Sequence, residues 1–169
     1  HARGHSCCIL EKNAALPGQS RAIGIHPPSV RLFEELGLAT ALVDAGLSIS
    51  HAHVHIERQK VATVDFTKLK HPFPFILSLP QADLLRILQH HLEQLGIPIL
   101  WQSEVAEVAQ TASEVSVTLH DERVIRSSFL LACDGMHSSI RRYLKIPWQG
   151  LTYPDTYLMG DAEDCDPSN

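Results

Sequence analysis

Leu130-Leu131-Ala132-Cys133-Asp134-Gly135-Met136-His137-Ser138-Ser139-Ile140-Arg141-Arg142 is an apolar run that ends in Asp-Gly and passes into a polar helix start. The pattern reads as a buried strand over Ser128 to Ala132, a tight turn, and a helix from about Ser138 to Leu144. Open α/β sheets place ligand-contacting groups at the carboxyl ends of their strands, so Asp134 and Gly135 become candidate site residues. The bland reading of Asp134 is an N-cap for the following helix, a role compatible with ligand contact.

The first residues repeat the theme. His1-Ala2-Arg3-Gly4-His5 reads as the last turn of a helix with its glycine stop, and Ser6-Cys7-Cys8-Ile9-Leu10-Glu11-Lys12 as a short buried strand ending in an acid. The second strand of a dinucleotide fold has this form, its terminal acid accepting hydrogen bonds from an adenosine ribose about 20 residues after a Gly-rich turn. No G-x-G-x-x-G occurs in the sequence. An internal fragment is therefore expected, truncated at both ends and lacking the first strand and its phosphate loop.

With 169 residues the chain has room for one domain, or one domain and part of another. Its 44% hydrophobic and 20% charged fractions are ordinary for a globular protein, and a net charge of -5 with scattered Lys and Arg argues against a nucleic-acid surface. No apolar stretch approaches the roughly 18 residues of a membrane helix. Cys7, Cys8, Cys133 and Cys165 show no C-x-x-C spacing and are expected to be reduced and buried, as in a cytoplasmic protein.

Between the two strand ends the punctuation is clear. Asn13 to Ser20 is a Pro/Gly-bearing loop, and Pro27-Pro28-Ser29 opens a helix to Leu36 with Val30, Phe33 and Leu36 on its inner face. Residues 39 to 45 make a second short helix stopped by Gly46. Alternation from Ser50 to Phe66 predicts a hairpin, and Pro80 opens the longest helix, stopped by Gly96. Strands are expected over Ile97 to Trp101, Glu104 to Val108 and Val115 to Leu119, with one more near Thr156 to Asp161. Strand, helices, hairpin, helix and strands in that order predict an α/β fold, a parallel sheet with an antiparallel β insertion.

These segments together resemble the flavoprotein aromatic hydroxylases, the FAD-dependent monooxygenases of the para-hydroxybenzoate hydroxylase type. The Asp-Gly stretch matches that family's motif, with Cys133 where a small residue is usual. Ser20-Arg21-Ala22-Ile23-Gly24 through Leu36-Gly37-Leu38 resembles the segment in which an arginine reaches the FAD pyrophosphate. Leu79-Pro80-Gln81-Ala82-Asp83-Leu84-Leu85-Arg86 resembles the helix start where a glutamine contacts the flavin or its ribityl chain. The resemblance implies a Rossmann-like FAD/NAD(P)-binding domain over residues 1–150, including the hairpin at about 50–66, and the start of a substrate-binding domain over 151–169. It implies FAD as cofactor, NADH or NADPH as co-substrate, and a parent enzyme that hydroxylates a small aromatic or similar substrate with O2. Glu11, Arg21, Gln81, Asp134 and Gly135 fall on the cofactor-binding positions; no catalytic residue is assigned.

Each of the four side chains has an ordinary alternative. Glu11 reads equally as a solvated strand end, Arg21 as a surface loop residue, and Gln81 as a helix-start polar group. A guanidinium does suit a pyrophosphate, because its planar fork matches phosphate oxygens and stays charged. The order and spacing of all four carry the flavin reading. A related FAD-dependent reductase or dehydrogenase would use the same positions, and a non-catalytic flavoprotein relic would keep the scaffold alone. Gly160-Asp161-Ala162 resembles the family's ribityl-binding Gly-Asp-Ala but follows Asp134 too closely to be it. His51, His53 and His55 alternate along one strand and raise a metal site; three imidazoles on one flat strand lack a convergent fourth ligand, so no metal is expected. The parent's substrate, oligomeric state and true termini lie beyond these residues.

Overall fold

The computed structural model describes residues 4–18 and 24–156. Arg21, Cys165 and all but the first residue of the strand expected near Thr156 to Asp161 lie outside them. The chain divides into two compact units, His1–Ala106 with Thr118–Val124, and Glu107–Val117 with Ile125–Asn169.

In the first unit, strand β1 (Ile9–Leu10) pairs in parallel with β7 (Ile99–Leu100), Ile9 opposite Ile99 and Leu10 opposite Leu100. Parallel neighbours need a long crossover, and here it holds most of the unit. Strand β2 (Gly24–Ile25) leads into helix α1 (Pro27–Glu35), which carries its prolines at the first positions, where a missing N–H leaves no bond unmade. Helix α2 (Ala39–Ala45) follows directly, then strand β3 (Leu47–Ile49). Strands β4 (His51–Ile56) and β5 (Gln59–Asp65) form the expected hairpin. Its turn residues Glu57 and Arg58 have φ of 48° and 67°, the left-handed pair that a two-residue hairpin loop requires. A 3-10 turn, strand β6 (Ile76–Ser78) and helix α3 (Gln81–Gln94) complete the crossover.

Strand β6 pairs antiparallel with both β2 and β3, a three-stranded sheet that the sequence did not announce. Strands of two or three residues are too short to display alternation. This sheet nonetheless supplies Leu77 to the core, where it packs with Val30, Leu38, Ala39, Leu42 and Leu79. Leu84, Ile87 and Leu88 of α3 cover that cluster while remaining half-buried. Leu36, expected inside, is 47% exposed; α1 ends one residue earlier, and Leu38 turns inward in its place.

Strands β8 (Val105–Gln110), β9 (Val115–Leu119) and β10 (Val124–Ser127) form a sheet in the order β10-β9-β8. Val115, Val117 and Leu119 are buried at alternate positions, the period-2 signature of a pleated strand. The strand expected over Ser128 to Ala132 is absent. Residues 128–135 are neither helix nor strand, and Phe129 and Leu131 are 85% and 84% exposed. A strand exists only against a ladder partner, and none of the described residues pairs with this run. Helix α4 (Ser139–Tyr143) then follows as expected. Cys7, Cys8 and Cys133 are free thiols, as expected, but exposed rather than buried. Cys7 and Cys8 precede the first rung of the β1–β7 ladder, and Cys133 sits in the unpaired run.

Gly46 does more than stop α2. A Cβ at this position would meet Leu77 Cδ1 and the backbone oxygen of Ser78 at 2.8 Å each. The glycine lets the end of α2 lie directly on β6. Gly46→Ala is therefore expected to destabilise the protein by about 1 to 3 kcal/mol, since the clashing oxygen belongs to a ladder and cannot rotate away. Urea unfolding of wild type and variant measures it, and an unchanged midpoint would contradict this close approach.

Candidate functional site

The first unit holds Glu11 and Gln81. Glu11 directly follows β1 and is half-buried, its backbone still tied to the neighbouring chain: its N–H donates to Leu100 O at 3.0 Å and its carbonyl accepts from Ser103 N at 2.8 Å. Its side-chain Oε1 accepts from both Asn13 N at 2.9 Å and Asn13 Nδ2 at 2.7 Å. The acid expected at a strand end thus sits at the carboxyl edge of a parallel pair, with its carboxylate held. Gln81 is the first residue of α3 and half-buried.

A cleft of about 460 Å³ lies beside these residues. It is lined by residues 14–18 of the loop leaving β1, by Ala82, Arg86 and Gln89 of α3, and by Trp101. Arg86 is held over the helix by Asp83 at 2.8 Å. The cleft presents a guanidinium, an amide and an aromatic face, groups suited to phosphate oxygens and planar rings. Arg86, Gln89 and Trp101 had no signal in the sequence beyond helix periodicity and a strand end.

The second unit holds Asp134 and Gly135. Asp134 Oδ2 accepts from Ile140 N at 3.2 Å and from Ser139 Oγ at 3.3 Å, so the carboxylate binds the first turn of α4 without occupying the N-cap position expected for it. Gly135 has φ of 77°, a turn conformation that a side chain would strain. Ser138 is the helix N-cap, its Oγ accepting from Arg141 N at 2.9 Å, and Arg141 Nη1 reaches back to Met136 O at 2.8 Å. Ser138 and Arg141 accordingly brace the Asp-Gly turn. The Arg141 guanidinium also lies 4.8 Å from the centre of the Trp148 ring.

Partial burial works to raise the Asp134 pKa, but the Ser138 hydroxyl and the amides of Ile140, Asp134 and Ser139 prevail and hold it below the ordinary Asp value. The folded pKa is depressed, so the contribution of these hydrogen bonds is complete above the unfolded carboxylate range and fades as pH falls through the folded value. With isoleucine-selective isotope labelling, the Ile140 amide shift is expected to titrate with a midpoint below about 3.9, the unperturbed Asp value. A midpoint above that value would contradict the hydrogen-bonded carboxylate.

The hairpin histidines find partners within the hairpin. His51 has Ser50 Oγ at 2.9 Å on Nδ1 and Asp65 Oδ1 at 3.4 Å on Nε2, and His53 Nδ1 lies 3.0 Å from Thr63 Oγ1. Among the described residues, no group of three or more His, Cys, Asp or Glu side chains is arranged to hold a metal ion.

Comparison with family profiles matches residues 1–162 to the FAD binding domain. The chain belongs to that FAD-binding family. It is 28% identical over 163 residues to the uncharacterized aromatic compound monooxygenase YhjG of Bacillus subtilis, covering 94% of this chain and 32% of that protein. It is 30% identical over 162 residues to a dialkyldecalin synthase of Streptomyces rugosporus, covering 95% and 34%. In fold it is similar to p-nitrophenol 4-monooxygenase PnpA from Pseudomonas putida DLL-E4, with a TM-score of 0.83 and 22% identity over 90% of this chain and 40% of that one. The chain spans about a third of the length of the curated relatives it matches. Its α/β class and its FAD cofactor follow, and no helix among the described residues is long and apolar enough to cross a membrane.

Proposed function

We propose that this chain is the FAD-binding part of a flavin monooxygenase that uses NADH or NADPH and O2 to hydroxylate a small aromatic or similar substrate. The observation that carries the reading is Glu11. A tethered acceptor-only carboxylate at the carboxyl end of a parallel strand, in a chain of an FAD-binding family, is the group that a ribose diol requires. Names of relatives, such as aromatic compound monooxygenase and p-nitrophenol 4-monooxygenase, support the oxygenase class. The fold is assigned as Rossmann-like over residues 1–150, with residues 151–169 beginning a substrate-binding domain in a cytoplasmic parent enzyme.

The residues present fit the cofactor. Glu11 accepts hydrogen bonds from the adenosine ribose, Arg21 neutralises the pyrophosphate, and the Gln81 amide orients the flavin end. Asp134, beside the left-handed turn at Gly135, is assigned within its own unit as a further cofactor-contacting carboxylate. FAD, when bound, supplies the chemistry: hydride uptake from the nicotinamide and activation of O2. The protein's share is binding, orientation and exclusion of water, and none of these side chains is assigned as an acid or base.

A second reading has one observation in its favour, the 30% identity to a dialkyldecalin synthase, whose name is not that of an oxygenase. The complete protein separates the alternatives. Bound flavin absorbance with NAD(P)H oxidation and an oxygen-dependent hydroxylated product is the expected result. NAD(P)H oxidation without oxygenated product would favour a reductase or dehydrogenase, turnover without NAD(P)H or O2 a synthase, and absence of flavin a relic. In the same protein Arg21→Ala is expected to weaken FAD retention by about 1.5 to 3 kcal/mol through loss of a charge-assisted contact. Dialysis followed by flavin fluorescence measures it, and equal retention would remove Arg21 from the site.

A further inference from the structure

The carboxylate of Glu11 is held by one neighbouring residue. Both donors on Oε1 come from Asn13: its own amide N–H at 2.9 Å and its side-chain Nδ2 at 2.7 Å. Oε2 receives no hydrogen bond from the described residues. A glutamate at a strand end has three side-chain torsions to fix before it can serve a ligand, and two donors on one oxygen restrain them while the other oxygen keeps its acceptor capacity.

The base on which Asn13 stands is rigid. Asn13 O accepts from Gln102 N at 3.0 Å, and Ser103 N donates to Glu11 O at 2.8 Å, so residues 11 and 13 are both tied to the chain that follows β7. Gln102 has φ of 52°, a left-handed kink between two amides that both reach the 11–13 segment. Ser103 is buried, with its hydroxyl bonded to Trp101 O at 3.2 Å and to Arg123 Nη2 at 3.2 Å. Arg123 is in turn fixed by Asp121 at 2.7 Å.

We propose that Asn13 is a positioning residue that presents Glu11 to the adenosine ribose and thereby adds to the preference of the site for FAD over FMN. FMN lacks the adenosine half, so a contact made only to the ribose diol of that half discriminates the two flavins. The inference rests on the assignment of Glu11 to that ribose. Asn13 itself touches Glu11 and not the cofactor.

The test uses apoprotein prepared from the complete holoenzyme and titrated separately with FAD and with FMN by flavin fluorescence. Asn13→Ala is expected to lose FAD affinity by about three- to tenfold, the range of one hydrogen bond, with FMN affinity unchanged. Asn13→Asp keeps the size, removes the side-chain donor and adds a like charge, so it should lose at least as much; this variant decides the matter if Asn13→Ala does not fold. Glu11→Gln should lower the FAD preference, and Asn13→Ala added to Glu11→Gln should cost nothing more, because Asn13 acts only through Glu11. Equal losses for FAD and FMN, additive losses in the double variant, or wild-type preference in Asn13→Asp would overturn the role of Asn13 while leaving the ribose contact standing. An unchanged FAD-to-FMN ratio in Glu11→Gln would overturn the ribose assignment itself, and the Asn13 proposal with it.

Discussion

The parallel pairing of β1 with β7 is the constraint from which the rest of the first unit follows. Its ladder covers only two residues on each side, yet backbone bonds continue it past the strand ends, from Ile9 N with Pro98 O to Gln102 N with Asn13 O. Two parallel strands so joined cannot be linked by a turn. Residues 14–98 are the connection, and the helices, the small sheet and the hairpin are what that connection is made of. The core of Val30, Leu38, Ala39, Leu42, Leu77 and Leu79 is buried within it. The carboxyl ends of the two strands consequently open beside the loop at 14–18 and the start of α3, where open sheets of this class place ligands.

What the sequence disclosed depended on whether a signal is local. Helices α1, α2 and α3 were legible because periodicity and punctuation sit within each segment: Pro27 and Pro28 at one start, Pro80 at another, and glycine stops at Gly37, Gly46 and Gly96. The hairpin was legible for the same reason, its alternation being long enough to count. Strands β2, β3 and β6 were not, since two or three residues carry no period and their pairing is decided by residues 27 to 54 positions away, a separation invisible in a local window. The run Leu130-Leu131-Ala132 shows the opposite error. Its composition is that of a buried strand, but a strand needs a ladder partner, and among the described residues none pairs with it; Leu130 is only half-buried and Leu131 is 84% exposed.

The site divides along the same line. Glu11 and Gln81 could be read as an acid after an apolar strand and a polar residue at a proline-led helix start, and the structure puts them at those places. Asn13 could not. It lies in a loop, where a polar residue is the default expectation, and only the geometry of its two donors on Oε1 distinguishes it. The hairpin histidines are the converse case, conspicuous in the sequence but absorbed locally, His51 by Ser50 and Asp65 and His53 by Thr63. The Asp65 carboxyl is held below its ordinary pKa chiefly by the Thr67 hydroxyl, against some desolvation, with the Thr67 amide, His51 and Lys68 contributing further. It serves the hairpin's closure and its exit into the 3-10 turn.

Glu11 and Asp134 show why a structural role and a ligand role need not compete. A carboxylate has two oxygens and about four acceptor positions, and protein donors occupy only part of that capacity. Glu11 commits Oε1 to Asn13, and Asp134 commits Oδ2 to Ser139 and Ile140 at the head of α4. Each anchor removes side-chain freedom during folding, so a ligand meeting the remaining acceptor capacity has less left to order. For Asp134 the anchoring donors also favour the ionised form, extending its acceptor state further into acid. The donors at the head of α4 and the assigned cofactor contact are therefore compatible on one residue: the hydrogen bonds hold the carboxylate in place, and its remaining acceptor capacity is what recognition of a donor-rich ligand demands.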